Sequence, residues 1–144
     1  MLRGIIMRTL ALSIFALAFG IQFGRAEAIW SSYVKTNRYD FTVTDAEMAK
    51  TPVWREQDDD PPLAARKALR LARTRLAELV TDSKDWTLDA LSLCEWHDGR
   101  HWYYLARFQA PLPAGGLNGM PVSMRIPVLM SGEVVKPQVS RWPK

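Results

Sequence analysis

With 144 residues, 19 basic and 15 acidic side chains, the chain is sized for one small domain, and its net charge of +4 does not indicate a globally basic nucleic-acid binder. One cysteine excludes an internal disulfide, so an ordinary apolar core must hold the fold. No cofactor-binding motif is present, and no cofactor is expected.

Residues 1–28 read as a secretory signal. Arg3 and Arg8 form the positive start, Thr9 to Phe19 (TLALSIFALAF) is almost wholly apolar, and Ala26-Glu27-Ala28 supplies a small-x-small cleavage pattern. The apolar run is about ten residues, short of the ~20 that a bilayer span needs, and no cysteine follows it to carry a lipid. The expectation is an exported chain, periplasmic or secreted, with no stable membrane span once the signal is removed. Cleavage near Ile29 removes Arg3, Arg8, Arg25 and Glu27, leaving 16 basic and 14 acidic residues, a net charge of about +2.

Residues 29–36 (IWSSYVKT) read as a loosely held lead-in. NRYDFTVT, residues 37–44, then alternates Tyr39, Phe41 and Val43 against Arg38, Asp40 and Thr42, which predicts a first strand. Residues 45–60 are a polar connection ending in EQDDD. That run lacks the spaced ligands, glycine and terminal glutamate of a calcium loop, and reads as acid complementing a helix dipole.

Asp60-Pro61-Pro62 predicts a helix start, with aspartate as N-cap and prolines in the first turn. The helix runs to Val80. Ala65, Ala68, Leu69, Ala72, Leu76, Leu79 and Val80 fall within an arc of about 120°. Arg66, Arg70 and Arg73 line the opposite side, a solvated face or a contact for an anionic surface.

The remainder reads as strands over 86–96, 101–109, 122–130 and 133–139, with even-numbered positions carrying the apolar face. Pro127 and Pro137 suit edge positions or bulges. The fold class expected is α+β: one helix packed on an antiparallel four- to five-stranded meander. Residues 29–60 would add the first strand and polar connection to the helix and sheet of 61–144, making one domain.

The stretch CEWHDGRHWYYLARF, Cys94 to Phe108, contains the sole cysteine and both histidines, at a C-x2-H-x3-H spacing. In a strand, Cys94 and His97 point to opposite faces, so the spacing does not gather ligands, and no metal is expected. Two hairpin registers are open. A His97-Asp98-Gly99 turn pairs Cys94 with Trp102, Leu88 with Phe108 and Asp89 with Arg107. An Asp98-Gly99 turn brings Cys94 and His101 to one face and leaves His97 on the other. In the first register Leu91, Leu93, His101, Tyr103, Leu105 and Arg107 project from the uncovered side, a candidate surface for a protein or peptide partner.

Three stretches, ARKALRLA in the helix, WYYLARF in a strand and the closing LMSGEVV, resemble small exported domains of the PepSY and cystatin-like kind over residues 61–137. The aspartate often found before the final turn is Ser131 here, and the QxVxG hairpin of cystatins is absent. The resemblance implies a binding or regulatory domain in the cell envelope. The expectation is therefore a non-enzymatic binding domain with an unknown protein or peptide partner and no nucleic-acid partner. The rivals are a small hydrolase using His101 with a carboxylate such as Glu95, and surface adhesion through the arginine stripe.

Overall fold

A computed structural model describes residues 27–111 and 121–142. The signal-like residues 1–26 lie outside them. The lead-in is ordered as a strand: β1 (Glu27–Val34) pairs antiparallel with β2 (Asn37–Thr44), from Glu27↔Thr44 to Val34↔Asn37. β1 alternates like β2, but Ser32 sits among its inward residues and Ile29 and Tyr33 point outward. Both faces therefore carry apolar residues, and the period is hidden. Lys35 turns the hairpin at φ 55, a left-handed position usually signalled by glycine or asparagine. A single helical turn, α1 (Asp45–Met48), follows β2. Thr44 caps it in a reciprocal capping box with Glu47.

The main helix, α2 (Ala65–Leu79), begins later than Asp60 and has no side-chain cap. Leu63 explains the delay. It is buried at 4% exposure and its carbonyl accepts the Tyr104 hydroxyl at 3.0 Å, while Pro62 holds Pro61 out of helical geometry. The acidic run thus lies outside the first turn. Ala68, Ala72 and Leu76 are fully buried, and these small side chains let the helix settle on the sheet. Ala65, from the same predicted arc, is exposed.

The sheet differs from the expected single meander. After a 3-10 turn (Ser83–Asp85), β3 (Thr87–Glu95), β4 (Trp102–Gln109) and β5 (Ser123–Leu129) form one three-stranded antiparallel sheet. The last strand, β6 (Gln138–Arg141), leaves β5 and pairs with β2, completing a separate sheet in the order β1-β2-β6. The chain folds back after Gly132 (φ +88) and makes only a bridge, Val128↔Val134, before Pro137 interrupts the ladder and releases it. The molecule is α+β, with one main helix and two small antiparallel sheets.

The two sheets share one core. α2 lies on β4 and β5, where Ala106, Phe108, Met124, Ile126 and Val128 are fully buried. β1 runs beside β5, and the Arg125 amide donates to Ser32 Oγ at 3.2 Å. Since Arg125 points its amide away from β4, Pro127, two residues on, places its missing donor on that same side. Among the described residues, no helix is long and apolar enough to cross a membrane.

Candidate functional site: the β3–β4 hairpin

The hairpin combines both registers that the sequence left open. Leu88 pairs with Phe108 as in the first, but Cys94 pairs with Tyr103 and Glu95 with Trp102 as in the second. A bulge between Leu88 and Ala90, with Asp89 as the extra residue, absorbs the difference. Directly opposed residues share a face, so the bulge moves Leu91 and Leu93 onto the helix side with Ala106 and Tyr104. They do not share a face with His101, Tyr103, Leu105 and Arg107. The predicted six-residue patch is split.

At the turn, the Trp96 amide donates to His101 O at 2.8 Å and Gly99 donates to Trp96 O at 2.9 Å. Gly99 adopts φ +68, and a Cβ there would meet Glu95 Oε1 at 3.4 Å. Asp98 stitches the turn together. Its Oδ1 accepts the amides of Arg100 (2.9 Å) and His101 (3.0 Å), and its Oδ2 lies 2.5 Å from His101 Nδ1. Burial pushes its carboxyl upward, but the His101 ring and the two amides outweigh that and hold it at about 2. His101 is therefore partnered by Asp98 rather than Glu95. Among the described residues, no serine, threonine or cysteine side chain hydrogen-bonds its ring.

The hairpin tip is also tied to the first sheet. Asp45, opening α1, accepts Trp96 Nε1 at 2.8 Å on the oxygen that lies 3.0 Å from His97 Nε2. Aromatic rings pack on both faces of this end: Trp30 (5.5 Å) and Trp96 (6.1 Å) on Tyr103 at the junction, and Trp54 on Trp102 (5.2 Å) on the other face. Two of the six tryptophans, Trp30 and Trp96, close over Tyr103, which makes this face of the junction a core rather than an open site.

Cys94, half-buried against Tyr103, has its thiol pushed up by burial, partly offset by its hydrogen bond to Tyr103. Burial first, then Cys94, raises the Tyr103 phenol to about 12. Both groups stay neutral at physiological pH, which makes the thiol a poor nucleophile. The three residues of the C-x2-H-x3-H spacing face different partners: Tyr103, Asp45 and Asp98. Among the described residues, no three His, Cys, Asp or Glu side chains gather as metal ligands.

The predicted uncovered side is half covered. His101 (8% exposed) is buried against Asp98, and Tyr103 (9%) is buried beneath Trp30 and Trp96. Leu105 is partly buried, and Arg107 is exposed and ion-paired with Asp89. What remains open is Ala90, Ser92, Leu105 and Arg107, together with Arg125, which lies directly opposite Arg107 on β5. Arg125 is absent from the expected patch; its odd-numbered place among the apolar residues of β5 is the signal in the sequence that points it outward.

The helix stripe also divides. Arg66 and Arg70 are exposed, but Arg73 turns inward, donating to Trp86 O at 2.7 Å with its guanidinium 4.7 Å from the Phe108 ring centre. A cleft of about 170 Å³ between the β1–β2 turn and the C-terminal end of α2 is smaller than the few hundred Å³ of ordinary ligand pockets. No protein-family model, curated protein or solved structure matches the chain.

Proposed function

We propose that the chain is an exported, non-enzymatic binding module that takes an extended protein or peptide segment as an added strand on the edge of β3. One observation carries this reading: among the described residues, β3 pairs with β4 alone along its whole length. Because the Trp96 amide is spent on His101, the alternation of an antiparallel ladder turns the amides of Leu91, Leu93 and Glu95 toward the empty edge. Main-chain bonds to such an edge supply affinity, and neighbouring side chains supply choice. Leu93, 37% exposed, is the apolar handle, and the Asp89 bulge limits the free run to Ala90–Glu95.

Export is supported by the charge–apolar–small order of residues 1–28. Glu27 and Ala28 pair with Thr44 and Val43, so cleavage after Ala26 keeps the full β1 ladder and cleavage after Ala28 trims it. N-terminal sequencing of the native protein decides between Glu27 and Ile29, and an intact Met1 or Met7 would remove the cleavable signal.

The binding reading is tested with peptides selected on the wild-type domain from a displayed random library. Leu93→Pro deletes an outward amide without touching the β3–β4 ladder. The selected peptides should lose binding to this variant at least tenfold while its fold is retained. Undiminished binding would sink the edge as the site.

A further inference from the structure

The half of the second sheet's outer face that the aromatic cluster leaves open contains a pairing that packing does not explain. Arg107 on β4 and Arg125 on β5 are direct register partners, and both are exposed. Like charges placed directly opposite on one sheet face repel. Arg107 is relieved by its ion pair with Asp89. Arg125 has no such relief: among the described residues only its backbone amide is engaged, with Ser32 Oγ. Asp89, Arg107 and Arg125 together leave one positive charge on a patch otherwise made of Ala90, Ser92 and Leu105.

We infer that this patch binds an acidic side chain of a protein partner, its carboxylate seated between the guanidinium groups of Arg107 and Arg125. The bound acid completes a row of alternating sign, Asp89, Arg107, carboxylate, Arg125. The planar fork of arginine matches a carboxylate in two parallel hydrogen bonds. The uncompensated charge is single, which suits one carboxylate better than a phosphate or a sulfated chain, whose charges call for several cations in a row. Leu105 and Ala90 give the partner's neighbouring residues an apolar seat. The patch lies on the sheet's face, one strand in from the β3 edge, and does not depend on that edge being used.

Hexaglutamate is titrated against the folded protein by fluorescence anisotropy at low and physiological salt. Arg125→Gln should weaken binding at least tenfold and flatten its salt dependence, whereas Arg66→Gln on α2 should leave it unchanged. Arg125→Gln should also unfold at the same or a higher midpoint, since a repulsion is removed. Leu93→Pro should bind hexaglutamate normally, which separates this site from the edge. Absence of binding, or equal losses from Arg66→Gln and Arg125→Gln, would overturn the proposal, the latter by reducing it to diffuse charge. A lower midpoint for Arg125→Gln would overturn it too, by making the arginine structural. Arg125-dependent displacement of hexaglutamate by inorganic phosphate or heparin at lower concentration would replace the carboxylate with those anions. Arg125-dependent self-association in sedimentation would make the occupant the acidic run Glu56–Asp60 of a second copy.

Discussion

The β3–β4 hairpin is built differently at its two ends. Toward the turn, Trp96, His101 and Tyr103 are buried, tied by Asp98 and Asp45 and roofed by Trp30. Beyond the middle, the same face opens onto Leu105, Arg107 and Arg125 with nothing among the described residues packed over Arg107 or Arg125. The first end has the chemically suggestive residues, the cysteine and the histidines, and spends them on structure. The second has plainer residues, pairs Arg107 with Asp89 and leaves the Arg125 guanidinium exposed. Reactive residue types thus mark structure at the tied end of this hairpin, while the side chain left unpaired among the described residues stands at the open end.

The comparison breaks first at the shared helix side. Phe108→Ala removes a fully buried ring beneath Arg73 and should cost about 3–5 kcal/mol in urea unfolding, enough to unfold a marginal domain. Tolerance of this change would mean that the core lies elsewhere. At the tied end, Trp96→Phe keeps an aromatic side chain but trims the buried indole to a smaller ring and deletes the bond to Asp45, and a loss of about 1–3 kcal/mol is expected by the same measurement.

Leu105→Asp, at the open end, should cost no more than about 1 kcal/mol. A loss as large as that of Phe108→Ala would show that the face is covered throughout. The smallest effect is electrostatic. Asp98 titrates lower folded than unfolded, so its contribution is complete above about pH 4 and fades as pH falls toward its folded value of about 2. With the carboxylate 34% exposed, screening leaves about 1 kcal/mol or less, read as the difference between wild type and Asp98→Asn across that window. Equal pH dependence in the two proteins would remove Asp98 as a clamp.

The parts of the fold legible in sequence were those with one clean period. β2, β4 and β5 alternate, α2 repeats Ala68, Ala72 and Leu76, and each was placed within a few residues. β1 escaped because Ile29 and Tyr33 blur its alternation and Lys35 occupies a left-handed turn without glycine. The bulge escaped for a different reason: Asp89 looks like any strand residue, and only the pairing of Leu88 with Phe108 and of Cys94 with Tyr103 reveals it. That one residue splits the expected patch, since it carries Leu91 and Leu93 to the face opposite His101 and Tyr103. The Arg107–Arg125 pair needed the β4–β5 register, which the long connection between those strands hides from a sequence reader.

The departure of β6 from its neighbour in sequence has a consequence for how the molecule comes to exist. Asn37↔Arg141 joins positions roughly a hundred residues apart, so closing the first sheet requires a large loop to be gathered before any bond rewards it. A chain emerging from its N-terminus makes the β1–β2 hairpin early, and that hairpin waits with a bare flank until β6 has appeared. Closure of the first sheet is therefore reported by β6, which acts as a latch that a chain cut before Gln138 cannot fasten.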